Sequence, residues 1–194
     1  MNKSIKVMAI LACMVGGAAQ ASQVFDFSYT FADGQSLSGT LTGTEVAGGG
    51  GAFSVSNVSN VSLTFDGNPF TGTLSAGTFN SAAPAAPWNF GANAAVISTN
   101  ATANNFIIAD STDPAGNNVN NYFYFVAGGA TPSGSGTSEA VAFNGNTGDL
   151  GIDNPAAGAW SLTVAPVPLP PGLPLLASAL GMFGLRAFRR RAAV

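Results

Sequence analysis

Nine carboxylates are the side chains of this chain's central part with the most chemistry in them. They are Asp26, Asp33, Glu45, Asp66, Asp110, Asp113, Glu139, Asp149 and Asp153. Paired carboxylates can work as acid and base on a glycosidic bond. Clustered ones can hold a hard cation through oxygen. Two loops offer such oxygens: Asp110 and Asp113 with Asn117 and Asn118, and Asn144 and Asn146 with Asp149 and Asp153. Neither matches the EF-hand spacing, and Asp and Asn also cap turns without any metal. Solvated turn formers are the commoner role of acids scattered in this way, so the expectation is no catalytic residue and no resident cofactor, with calcium at these loops as a weak candidate.

What is missing narrows the chemistry further. The chain has no histidine, and its six basic residues are Lys3, Lys6, Arg186, Arg189, Arg190 and Arg191. From Ser22 to Leu185 there is no cationic side chain at all, and the formal charge of that stretch is nine negative. A Ser-His-Asp set, a His or Cys zinc cluster and a Schiff-base lysine are all excluded there. Nucleic acid is excluded as a partner on the same ground, because phosphate needs Lys or Arg. Internal salt bridges are impossible, so each acid must meet water, a hydrogen-bond donor or a cation. Cys13 is the single cysteine, so no disulfide can staple the chain.

Flat aromatic rings are the other chemical resource. Trp88, Tyr122, Tyr124 and Trp160 could stack on sugars as in a carbohydrate-binding module. Large aromatics more often fill a core, and the expectation here is that these four do so.

The elements that position these residues are short strands. Phe25, Phe27, Tyr29 and Phe31 alternate with Asp26, Ser28 and Thr30, a period of two that predicts a half-buried strand. Asp33-Gly34 turns the chain, and Ser36 to Thr44 returns with Leu37 and Leu41 on one face. Gly48 to Gly51 reads as a loop. Phe53 to Phe65 is predicted as a strand whose alternation slips near Asn57–Asn60, the mark of a bulge. Asp66-Gly67-Asn68-Pro69 predicts a turn and Phe70 to Leu74 its return strand. Ser75 to Gly91, with Pro84 and Pro87, reads as a loop over the core. Further strands are predicted at Ala95 to Ser98, Asn105 to Ala109, Tyr122 to Val126, Ala140 to Phe143 and Trp160 to Val164. Asp110 to Asn121, Gly128 to Ser138 and Asn144 to Gly148 are the turns and loops between them. About ten short strands with frequent turn signals predict an all-β domain, an antiparallel β-sandwich, jelly-roll-like, over residues 22–165.

The two ends are built differently. Residues 1–21 read as a secretory signal peptide: Lys3 and Lys6, a short apolar core from Val7 to Val15, and a small-residue cleavage site at Ala19 and Ala21. Its partners would be the Sec translocon and signal peptidase, and the exported chain would begin at Ser22. Residues 166–194 open with Pro168, Pro170, Pro171 and Pro174, which forbid a helix through them. Leu175 to Phe188 is unblocked and apolar nearly all round, and a single C-terminal transmembrane helix is expected there. Sixteen residues from Leu173 to Phe188 would reach roughly 24 Å, against about 30 Å of bilayer core. Such a span suits a temporary membrane stop better than a permanent anchor. Arg186, Arg189, Arg190 and Arg191 follow as a cluster that prefers the cytoplasmic side.

This tail resembles the PEP-CTERM family of bacterial sorting signals, in its VPLPA-type variant. The residues that carry the resemblance are Val167, Pro168, Leu169 and Pro170, the apolar helix from Leu175 to Leu185, and Arg189-Arg190-Arg191. Pro171 stands where the variant usually has alanine, which leaves the cleaved bond open. The resemblance implies an exosortase, an integral-membrane transpeptidase, as partner. It further implies cleavage near the proline motif, removal of the helix, and a role at the cell surface or in an exopolysaccharide matrix or biofilm. A carbohydrate-binding module is the alternative for the central domain, and a carboxylate-dependent glycosidase the more distant one.

Overall fold

The computed structural model describes residues 22–91, 94–134, 136–154, 156 and 158–166. Both termini lie outside these residues. The signal-peptide site Ala19 and Ala21, the motif Val167 to Pro170, the expected helix and Arg186, Arg189, Arg190 and Arg191 all fall there. Among the described residues there is no α-helix; the chain forms twelve strands in two antiparallel sheets.

The strands are β1 (Gln23–Thr30), β2 (Ser36–Ala47), β3 (Phe53–Phe65), β4 (Asn68–Pro69), β5 (Ser75–Phe79) and β6 (Trp88–Phe90), followed by β7 (Ile97–Ser98), β8 (Asn105–Ala109), β9 (Asn121–Ala127), β10 (Ser138–Asn144), β11 (Asp149–Asp153) and β12 (Ala159–Val164). Sheet 1 runs β12-β1-β2-β3-β4, with β7 on β3; sheet 2 runs β11-β10-β9-β8-β5-β6. Most neighbours are hairpins, and the chain changes sheet at β4 to β5, β6 to β7, β7 to β8 and β11 to β12.

The alternation in β1 decides which way it faces. Phe25, Phe27, Tyr29 and then Phe31 are buried, while Asp26 and Thr30 are exposed. Leu37 and Leu41 of β2, and Val55, Leu63 and Phe65 of β3, extend that inner face. Sheet 2 answers with Phe106 and Ile108 of β8, Phe123 and Phe125 of β9, and Ala140 and Ala142 of β10. Rings meet across the gap: Tyr29 packs 5.4 Å from Phe125 and 6.0 Å from Phe123, centroid to centroid. The all-β sandwich-like architecture expected from the alternation is therefore present, with its core between two inner faces.

Two local expectations change, and a segment to which the pattern gives no element forms a strand. Phe70 to Leu74 does not pair as a strand. Pro69 brings no amide donor and Gly72 takes φ +92°, so the segment keeps a bond from the Phe70 amide to the Leu63 carbonyl and an isolated bridge from Leu74 to Val61. Ser75 to Gly91 is not one loop, because β5 and β6 lie within it and pair as a hairpin. Asp149 to Asp153 is a full strand, β11, paired with β10. The slip expected near Asn57–Asn60 is real. Asn57 and Asn60 both adopt left-handed φ, of 53° and 48°, and the β2–β3 register shifts on either side of Thr42. β3 is bulged, not broken.

Candidate functional site

The outer faces of the two sheets have opposite chemistry. On sheet 1, partners in register are Thr163, Asp26, Thr40 and Ser62, and beside them Ser161, Ser28, Ser38 and Thr64. That face is a lattice of hydroxyls with one carboxylate. On sheet 2 the outer face is apolar and aromatic. Its central row reads Phe90, Gly77, Ile107, Tyr124, Val141 and Ile152 from β6 to β11. The neighbouring row holds Ala109, Tyr122, Phe143 and Leu150. Trp88 and Phe79 sit at the β5–β6 end.

An apolar outer face must be covered or used. Two loops cover its middle. The loop following Asp110 lies over Trp88: the Trp88 amide donates to the Pro114 carbonyl at 3.0 Å. Gly116 takes the left-handed φ of +75° that turns this loop against the indole, and a Cβ there would only touch the ring. The loop from residues 128 to 137 brings Pro132 to the other side. Between them remains a cleft of about 260 Å³, with Trp88, Phe90, Tyr122, Tyr124, Val119 and Pro132 in its walls. The rings form a continuous set. Phe79 and Trp88 are 5.3 Å apart, Trp88 and Tyr124 5.4 Å, and Tyr122 and Tyr124 lie near-parallel at 6.1 Å.

A carboxylate lies beside this cleft. Glu139 is 3 % exposed. It accepts a hydrogen bond from the Tyr124 hydroxyl at 2.9 Å and another from the Ser133 amide at 3.0 Å. Burial first, and then the Glu139 charge, push the Tyr122 and Tyr124 phenols above their ordinary value of 10.0. Asp153 is the other buried acid. It accepts from the Tyr29 hydroxyl at 2.7 Å and from the Ala32 amide at 3.1 Å. Ala140 faces inward and pairs with Asp153, so Glu139 and Asp153 are on opposite faces of sheet 2 and cannot act on one substrate.

The expected site residues separate accordingly. Trp160 does fill the core between the sheets, packing 5.6 Å from Phe106 and donating its Nε1–H to the Ser98 carbonyl at 2.7 Å. Trp88, Tyr122 and Tyr124 do not: they belong to the outer cluster with Ile107, Val126 and Val141. The reason is that β8 and β9 are apolar on both sides, so burial alone does not choose a face. Phe90, Val119 and Pro132 join them in the cleft, and the one local signal for this is that Trp88 and Phe90 flank Asn89 with the spacing of a strand.

The calcium candidates are engaged locally. Asp110 accepts from the Asn120 amide at 3.0 Å and from Asn121 Nδ2 at 2.8 Å, and Asp113 accepts from the Ala115 amide at 2.9 Å. Asp149 and Asp153 stand at the two ends of β11, roughly 13 Å apart along an extended strand. Among the described residues no three His, Cys, Asp or Glu side chains gather as a metal group. No family model, no curated protein and no solved structure matches the chain.

Proposed function

We propose that the chain is an exported, non-catalytic extracellular protein, held briefly in the inner membrane by its tail and then cut by an exosortase near Val167 to Pro170. Its central domain, in this reading a jelly-roll-like sandwich, then works at the cell surface or in an exopolysaccharide matrix. One observation carries the proposal: every cationic side chain lies in the two ends, and none lies between Ser22 and Leu185. Such a partition suits a chain whose basic ends serve export and membrane stopping and are then discarded. The two buried acids, Glu139 and Asp153, face opposite ways from sheet 2 and do not form a pair with each other.

Mass spectrometry of the extracellular form tests this. The expected product begins at Ser22 and ends within the proline motif, without Arg189, Arg190 and Arg191. A secreted protein intact through Val194 overturns the processing. The aromatic cleft favours a second reading of the domain itself, as a binding module for a carbohydrate.

A further inference from the structure

The cleft on sheet 2 is more than a place where a loop meets a sheet. Its walls are rings, and two of their polar handles, the Trp88 indole N–H and the Tyr122 hydroxyl, reach solvent and make no hydrogen bond to another described residue. The carboxylate of Glu139 is buried beside it and bound to a cleft residue, Tyr124. No cation of the domain neutralises that charge, because the domain has none. Ring faces turned toward a cavity attract cations, and the attraction strengthens where water is excluded. A fixed negative charge behind the rings adds to it and repels anions.

We infer that this cleft binds an amino sugar, with its ammonium group set against the rings of Tyr122, Tyr124 and Trp88 and a ring oxygen or hydroxyl accepting from the Trp88 N–H. The charge complementarity selects the ammonium. The free indole donor selects a ligand that also carries oxygen acceptors, which a simple alkylammonium lacks. The cleft's 260 Å³ admits one sugar-sized unit at a time, and its open side leaves room for neighbours in a polymer. Sugars bearing carboxylates or sulfates are excluded by the same field. The inference deepens the carbohydrate-binding reading, and it is independent of whether the tail is cut.

Calorimetric titration of the full-length chain in mild detergent at ~pH 6, where the amine is protonated, provides the test. The probes are a glucosamine tetramer, the matching N-acetylglucosamine tetramer and glucosamine itself. The glucosamine tetramer is expected to bind at least about tenfold more tightly than the acetylated one. A tetramer that outbinds the monomer beyond its four units identifies a polymer as the source; equal binding per unit identifies the free sugar. Tyr122→Ala and Phe90→Ala, checked for native circular dichroism, are each expected to weaken binding about tenfold. No binding of either glucosamine probe overturns the inference. So does equal binding of the charged and acetylated tetramers, or unchanged affinity in both folded variants. None of these results bears on the terminal cleavage, which mass spectrometry reads separately.

Discussion

Tyr29 shows how a domain without cations keeps a buried acid. Its hydroxyl donates to Asp153 while accepting from the Gly158 amide at 3.0 Å. Burial and the Asp153 hydrogen bond, outweighing the Gly158 contact, push this phenol well above its ordinary value. Tyr122 and Tyr124 shift the same way, so all three tyrosines of the chain are raised. The consequence for stability has a definite sign. Below about pH 10 the phenols are neutral in both folded and unfolded chains and their contribution is fully present. Above it the unfolded phenols ionise first, and stability falls by at most about 1.4 kcal/mol per pH unit for each tyrosine. No His, Cys, Lys or Arg side chain titrates between Ser22 and Leu185 to mask this. The urea midpoint should be level from neutral pH to about 9.5 and then drop, and Tyr122→Phe should soften the drop. A midpoint that stays level to pH 11 contradicts the coupling.

The bulged strand β3 is where an element departs from regular pairing. Asn57 and Asn60 take left-handed backbone on either side of Val58, which is buried in the core. Asn tolerates this conformation better than other non-glycine residues, and a β-branched residue tolerates it least. Asn60→Val is therefore expected to cost roughly 1–2 kcal/mol, while Asn60→Gly should be close to neutral. Thermal melts of the two variants read the difference, and equal melting points would mean that the backbone relaxes out of the bulge. The same scale explains β11. Asp149 and Asp153 frame Leu150, Gly151 and Ile152, a segment too short and too glycine-interrupted to signal a strand by alternation alone. Pairing with β10 makes it one, and leaves Leu150 and Ile152 44 % and 55 % exposed at the sheet edge.

Taken whole, the domain is an anion with no internal counter-charge. Nine acids repel one another across a body of small dimension, and only screening by salt relieves them. Raising sodium chloride from about 20 mM to about 300 mM, which shortens the screening length from ~20 Å to below ~8 Å, is expected to raise the melting temperature by a few degrees. A fall in melting temperature would show that the acids are stabilised by fields that salt weakens. The same charge bears on partners. A net charge of this sign is expected to oppose association with anionic lipid or nucleic acid.

Much of this molecule was legible in the order of its residues. The alternation of β1, the turn at Asp66-Gly67, the slip at Asn57–Asn60 and the partition of charge are local patterns, and local sterics or simple counting fixes them. The cleft was not legible, and the reason is physical. Along β9 the residues Tyr122, Phe123, Tyr124, Phe125 and Val126 are apolar or aromatic without a break. A period of two separates Tyr122 and Tyr124 from Phe123 and Phe125 but does not say which pair faces the other sheet. That choice rests on contacts between distant segments, such as Tyr29 against Phe125 inside and Gly116 against Trp88 outside. Only the folded chain brings them together.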